Sequence, residues 1–367
     1  MASFRGRTPS CEALKGAFTS LYRLDDFESE KLGAGFFSEV FKVRHLGTGE
    51  VMVLKMNKSS SNTLNMRREI QLMQRLDHPN ILKFEAVCIH YGQLHALTEY
   101  IDGGTLEDLI QNLTIELPWT TRAELGLNIA QGLEYLHGQR VFHRDLTSKN
   151  VFVRRHGQRS QQFTAIIGDF GLATTIPEPS EPRLPQVGSP FWMSPECLRG
   201  EFYDHQADIF SFGIIMCELI ARVEADPDIL PRTPNFGVEY SSFRELCDDS
   251  CPPDFLKLTF TCVSIDPESR PRAGDLVSNL GEMRDTQQDV EIELVVAAAS
   301  EGIRSHHELF TTNVISNIKR TRSDKSGFKT PTHNPFNTLP WMKNGRKIIS
   351  SLSDSCLCDN HNSLYYK

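Results

Sequence analysis

The sequence predicts an α+β protein of two unequal lobes, a small β-rich one followed by a larger helical one. Short apolar runs rich in Val, Ile and Phe dominate residues 27–100, and helical spacing takes over beyond Gly103. The change falls near Glu99 to Gly104; strands followed by helices form segregated layers, and pockets favour such junctions. With 367 residues, 39% apolar and 23% charged, the chain can bury a sizeable core and still carry an extension.

Residues 1–25 hold Ser, Gly, Pro and Arg with little periodicity and read as a short disordered lead-in. From Phe27 to Tyr100 the runs VFKV, VMVLKM, ILKFEAVCI and LHALTEYI, broken by Gly, Asn or Pro, read as strands of one sheet. The exception is Asn62 to Leu76, where Leu64, Ile70, Met73 and Leu76 approximate helical spacing before a His-Pro. Pro118 to His137 sets Leu125, Ile129, Leu133 and Leu136 on one helical face. Gln206 to Ala221 is apolar nearly all round, as expected of a helix buried inside a large lobe. Residues 285–367 form a C-terminal extension, partly helical to 318 and mostly disordered afterwards. There, residues 319–347 hold eight Lys or Arg against one acid, Asp324.

Lys and Arg total 39 against 47 Asp and Glu, and a net charge of −8 argues against direct nucleic-acid binding. Nine scattered cysteines without a C-x-x-C pair fit neither a disulfide scaffold nor a zinc module. The N-terminus has no apolar leader. The most apolar stretch, Ile209 to Ala221, is interrupted by Glu218 and is too short to be a transmembrane segment. The expected location is cytoplasmic and reducing. The basic run at Lys319 to Arg322 leaves a nuclear fraction open, with a solvated segment as the plainer reading.

The chemistry-bearing residues come in a fixed order. Leu32-Gly33-Ala34-Gly35-Phe36-Phe37-Ser38-Glu39-Val40 lies between two strand-like runs, where glycines let backbone amides approach a phosphate; alone, it is more readily a hairpin turn. Lys55 follows in a strand pattern and Glu69 on the helix, where a carboxylate can pair with the ammonium. Then comes His143-Arg144-Asp145-Leu146-Thr147-Ser148-Lys149-Asn150, and nineteen residues after Asn150 comes Asp169-Phe170-Gly171. Such a pair of motifs in this order does not arise by chance.

On these motifs, residues 26–284 resemble a eukaryotic protein kinase domain. The resemblance implies the bilobal kinase fold, ATP as the phosphoryl donor and Mg2+ as its metal, with Mn2+ a substitute. It further implies that Leu32 to Val40 cover the ATP phosphates, that Lys55 binds the α- and β-phosphates, and that Glu69 holds Lys55. Thr98, Glu99, Tyr100 and Ile101 would form the adenine-binding hinge. Asn150 and Asp169 would ligate the metal. Asp145 would take or orient the proton of the attacking hydroxyl, with Lys149 stabilising the transferred phosphoryl group. Arg144 beside Asp145 suggests a switchable activation loop, in which Ser189 is the candidate regulatory phosphosite, against a plain turn serine. Departures from the pattern are Ser38 for a third glycine, Val53 and Ser194 for alanines, and Phe210 for tryptophan. None removes a phosphate or metal ligand.

The loop Asp-Leu-Thr-Ser-Lys-Asn is intermediate between tyrosine and serine/threonine kinases. Together with LGAGFFSEVFKVRH, VMVLKMN and ADPDILPRTPNFGVEY it is similar to the testicular protein kinases, the branch related to the LIM-domain kinases. That resemblance implies dual specificity: Ser/Thr transfer onto a protein, with autophosphorylation that includes Tyr. It also implies actin depolymerising factor/cofilin as substrate, and through it the actin cytoskeleton. A generic Ser/Thr kinase with another protein substrate, or a non-catalytic pseudokinase scaffold, are the alternatives. Asn334-Pro335-Phe336 matches a tripeptide bound by endocytic adaptor domains.

Overall fold

The computed structural model describes residues 21–34, 38–57, 63–157, 162–300, 334–339, 341–343 and 346–347. The small lobe is one six-stranded sheet in the order β1-β5-β6-β4-β3-β2. Its strands are β1 (Leu21–Arg23), β2 (Phe27–Ala34), β3 (Ser38–His45), β4 (Val51–Asn57), β5 (Phe84–His90) and β6 (Gln93–Glu99). Between β4 and β5 the chain forms α1 (Thr63–Met73), the one helix expected among the strands. One side of the sheet buries Val43, Leu54, Cys88 and Leu97; the other buries Val87 and Ala96 against Met66 and Ile70 of α1. The lead-in is corrected at its end, because Leu21–Arg23 runs parallel to Val87–Ile89 as an edge strand. Edge pairing uses backbone groups alone, so periodicity gives no sign of it.

The large lobe contains α2 (Leu106–Gln111), α3 (Trp119–Gly138), α4 (Pro195–Leu198), α5 (Gln206–Ala221), α6 (Tyr240–Leu246), α7 (Pro253–Cys262) and α8 (Ala273–Ser300). The expectation for α5 holds to the residue: Ala207 through Ile220 are all buried, including Asp208 and Glu218. Helix α2 is capped by Thr105, whose hydroxyl accepts from the Asp108 amide while Asp108 accepts from the Thr105 amide. The described part of the extension is helical through Ser300, and the expected helix from there to 318 lies outside the described residues.

The helical lobe also carries two small antiparallel pairs that the sequence pattern does not announce. Strand β7 (Val141–Phe142) pairs with β10 (Thr174–Thr175), and β8 (Val151–Arg155) pairs with β9 (Phe163–Ile167). They lie under the lobe junction. The loop from β7 to β8 carries Asp145 and Asn150, and the turn after β9 carries Asp169. Between the lobes, Gly103 passes so close to β8 that a Cβ would sit 2.1 Å from the Val153 carbonyl oxygen. Only glycine fits this crossing.

A further difference concerns the tail. Residues 319–347 are polar and basic, yet 334–339 and Met342 pack onto the helical lobe with Pro335, Phe336, Leu339 and Met342 buried. The segment ends in a small pair of β11 (Met342–Lys343) and β12 (Arg346–Lys347).

Candidate active site

Antiparallel pairing sets Lys55 of β4 opposite Val40 on one side and Ala96 on the other. From there its ammonium lies 2.8 Å from Glu69 Oε1 on α1 and 2.7 Å from Asp169 Oδ1. Burial alone would make Lys55 easier to deprotonate, but the carboxylates of Asp169 and Glu69 outweigh it and raise its pKa. The Lys55 ammonium in turn holds Asp169 below the usual carboxylate range. Strand, helix and turn therefore meet at one cation, the pair with Glu69 being the one the sequence suggested and that with Asp169 an addition.

The loop after β7 is shaped from below by α5. Asp208 accepts hydrogen bonds from the His143 amide (2.7 Å), the Arg144 amide (2.9 Å) and His137 Nε2 (3.1 Å). Burial would raise the Asp208 pKa, but these partners bring it below its ordinary value. His143, fully buried, bonds the Gly168 carbonyl through Nε2 at 3.0 Å, linking this loop to the turn that carries Asp169. Arg144 and Asp169 both adopt left-handed backbone, φ 66° and 59°. Such conformations cost on the order of 1–3 kcal/mol each and persist where the surroundings over-determine them.

Asn150 Nδ2 donates to the Asp145 carbonyl (2.8 Å) and to Asp145 Oδ2 (3.3 Å), which fixes the amide and leaves its oxygen as the acceptor. Asp145 Oδ1 accepts from the Ser189 amide at 2.8 Å. Burial raises the Asp145 pKa, opposed by its bonds from Ser189 and by His143. The amide oxygen of Asn150 and the half-exposed carboxylate of Asp169 are hard donors, and they fit a small divalent cation. Among the described residues no group of three or more His, Cys, Asp or Glu forms a complete metal cage. A cation held here would share its coordination with phosphate oxygens.

Not every expected residue converges. Gly35, Phe36 and Phe37 lie outside the described residues, whereas Leu32, Gly33, Ala34, Ser38, Glu39 and Val40 lie on the β2–β3 pair beside Lys55. Lys149 is more than half exposed and turns toward Glu107 (3.5 Å) and the Trp192 ring (5.9 Å). Thr98 and Ile101 are buried at the lobe junction, Glu99 pairs with Arg154, and Tyr100 stacks under Lys42 at 4.4 Å. Ser189 is pinned to Asp145, so a phosphate on its hydroxyl would be repelled by that carboxylate unless the serine swung away.

Two positions that sequence reasoning did not assign are Asp208 and Glu218. Their signal was two acids in an otherwise apolar helix. Glu218 accepts from Trp192 Nε1 (2.8 Å) and Ser148 Oγ (2.9 Å), tying the segment after Ser189 to the loop of Asp145. Burial pushes its carboxyl up to about 8. The folded chain therefore keeps a proton that the unfolded chain releases near its ordinary value of 4.5. The stability this contributes is fully present below about pH 4.5 and falls as pH rises through 8. Glu218→Gln should accordingly be about as stable as wild type at pH 5 and more stable at pH 8, by on the order of 3 kcal/mol. Parallel melting curves across that range would refute the shift.

A family model described as protein tyrosine and serine/threonine kinase matches residues 28–280. The chain belongs to that kinase family. Within it, the chain is 55% identical over 286 residues to dual specificity testis-specific protein kinase 2 of Homo sapiens, covering 77% of this chain and 49% of the relative. It is also 55% identical over 290 residues to dual specificity testis-specific protein kinase 1 of Mus musculus, covering 78% and 46%. LIM domain kinase 1 of Drosophila melanogaster is 37% identical over 302 residues, 72% of this chain and 24% of the relative. The chain thus spans about half the length of the testis-specific relatives it matches. Among the described residues no helix is long and apolar enough to cross a membrane.

Proposed function

We propose that the kinase is a dual-specificity enzyme that moves the γ-phosphoryl group of ATP onto Ser or Thr of a protein, and onto its own Tyr as well as Ser and Thr. The observation that carries the transfer is the convergence of Lys55, Glu69 and Asp169 on one ion pair beside Asp145 and Asn150, and the similarity to dual specificity testis-specific kinases supports the reach to Tyr. A scaffold has no evident use for it.

In the reaction, the substrate hydroxyl oxygen attacks the γ-phosphorus while the bond to the β–γ bridging oxygen breaks and ADP leaves. Asp145 orients that hydroxyl and takes its proton. Lys55 engages the α- and β-phosphates, kept in place by Glu69. Asn150 and Asp169 would hold Mg2+, or Mn2+ in its place, which supplies neutralisation of the phosphate charge when bound.

The substrate we favour is actin depolymerising factor/cofilin, at a serine near its N-terminus, with control of actin filament turnover as the outcome. The similarity to testis-specific and LIM-domain kinases supports this reading. The kinase would act in the cytoplasm, with a nuclear fraction, and Ser189 is proposed as its regulatory phosphosite, reached once the serine leaves Asp145.

Labelled Mg-ATP incubated with cofilin, and separately with myelin basic protein, tests the proposal. Wild type should label cofilin on serine and itself on serine and tyrosine, and Asp145→Ala should do neither. Labelling of myelin basic protein alone would remove cofilin and leave a kinase of another substrate. Silence toward every protein would remove the enzyme.

A further inference from the structure

We propose that residues 334–339, with Met342, are a latch that closes over the protein-substrate platform of the same chain, with Phe336 as its bolt. The proposal rests on the kinase reading above and adds a means of regulating it.

Phe336 has no exposed surface. Its ring meets Phe191 edge-on, centroids 5.5 Å apart at 88°, and Phe236 at 5.5 Å and 71°. Arg232 lies over the same ring at 5.6 Å. The approach is fixed by polar bonds: Asn334 Nδ2 donates to Asp228 Oδ1 (2.9 Å), Asn334 Oδ1 accepts from the Phe336 amide (3.0 Å), and the Thr338 hydroxyl donates to the Pro335 carbonyl (2.6 Å). Leu339 and Met342 join Phe336 in the cluster that holds Met193, Cys197 and Leu198. The pocket is thus shaped for an Asn-Pro-Phe turn followed by apolar residues, and the tripeptide noted in the sequence is its occupant.

The place of this docking gives it a consequence. Ser189 donates its amide to Asp145, and Phe191 stands two residues further along the same segment. A polypeptide that brings a hydroxyl to Asp145 passes Ser189 to Phe191, the half-buried stretch that begins at that carboxylate. Phe336 and its neighbours already pack against that segment. The nucleotide side, with Lys55, Glu69 and Asp169, lies elsewhere. The latch therefore competes with protein and leaves ATP alone.

The latch is also built to open. Arg232 is 6% exposed; its Nη2 donates to the carbonyls of Phe191 (2.6 Å) and Ala225 (3.4 Å), while Nε and Nη1 have no hydrogen-bond partner among the described residues. A buried guanidinium with unpartnered nitrogens is costly. Withdrawal of Phe336 readmits water to Arg232, and the hydration regained there offsets part of the cost of exposing the phenyl ring. A segment with no such flaw beneath it would hold more permanently.

Steady-state transfer from Mg-ATP to myelin basic protein by the full chain tests the latch. Phe336→Asp should raise kcat/KM for the protein substrate about fivefold or more, with KM for ATP unchanged within about twofold. A synthetic peptide of residues 331–343 should inhibit that variant competitively with the protein and not with ATP, at up to about 1 mM, the effective concentration of a tethered segment. The same peptide with aspartate at position 336 should not inhibit. A rate unchanged or lowered by Phe336→Asp, or inhibition competitive with ATP, overturns the proposal. Deletion of residues 334–367 must reproduce the activation should Phe336→Asp not fold; failure of both to fold shows a structural strut and overturns it too. Wild type that labels no protein at all would instead defeat the kinase reading.

Discussion

Asp145→Asn is expected to lower kcat roughly 10²–10⁴-fold, the range for losing a positioned proton acceptor, while nucleotide still binds with near-normal affinity. The reason lies in how the side chain is held. An amide oxygen at this position still accepts from the Ser189 amide, and the Asn150 bond to the residue-145 carbonyl does not depend on the side chain. The loop keeps its main-chain bonds, and what is removed is the proton acceptor together with the long 3.3 Å bond from Asn150 Nδ2 to Oδ2. Single-turnover transfer measured beside fluorescence titration of nucleotide separates the two quantities. A variant with wild-type kcat would remove Asp145 from the chemistry, and one that fails to bind nucleotide would show that the loop had collapsed.

Glu196→Ala should cost roughly 3–5 kcal/mol of stability, the penalty for breaking a buried ion pair from one side. Arg270 Nη1 and Nη2 meet Glu196 Oε1 and Oε2 at 2.7 and 2.8 Å, and the two side chains are 0% and 4% exposed. Arg270 also donates to the carbonyls of Ser264 and Gln206. Without Glu196 the guanidinium stays buried beside neutral acceptors only, and its charge is uncompensated. At about 2–4 °C per kcal/mol for a domain of this size, the melting temperature should fall by roughly 10 °C. Replacing both partners by methionine should cost far less, because no lone charge remains. A single variant that melts within about 2 °C of wild type would contradict the account.

What the sequence makes legible is what local pattern or fixed order can encode. Helix α5 is legible to its ends because an all-round apolar run has few other uses, and Lys55, Glu69, Asp145, Asn150 and Asp169 come to one place as their order implies. Long-range partners are not legible. Glu218 reads only as an interruption of an apolar stretch, because its donors Ser148 and Trp192 lie 70 and 26 residues away. Lys149 is expected beside the transferred group, but Glu107 and the Trp192 ring compete for its ammonium. The docked tail hides for a related reason. Its own window is basic and rich in Asn, Pro and Thr, and the surface that buries Phe336 is assembled from Phe191, Arg232 and Phe236, about 100 or more residues earlier in the chain.

The Asp208 anchor has a consequence for the order in which this lobe comes apart. The amides of His143 and Arg144 are spent on a carboxylate carried by a helix that is buried throughout its length. Solvent can trade hydrogen with those amides only when α5 itself is exposed, an event that approaches global unfolding. Breathing at loop tips and helix ends leaves them protected. The stretch of backbone that aims Asp145 therefore belongs to the last cooperative unit to open, and the chemistry outlasts the loosening of the surface around it.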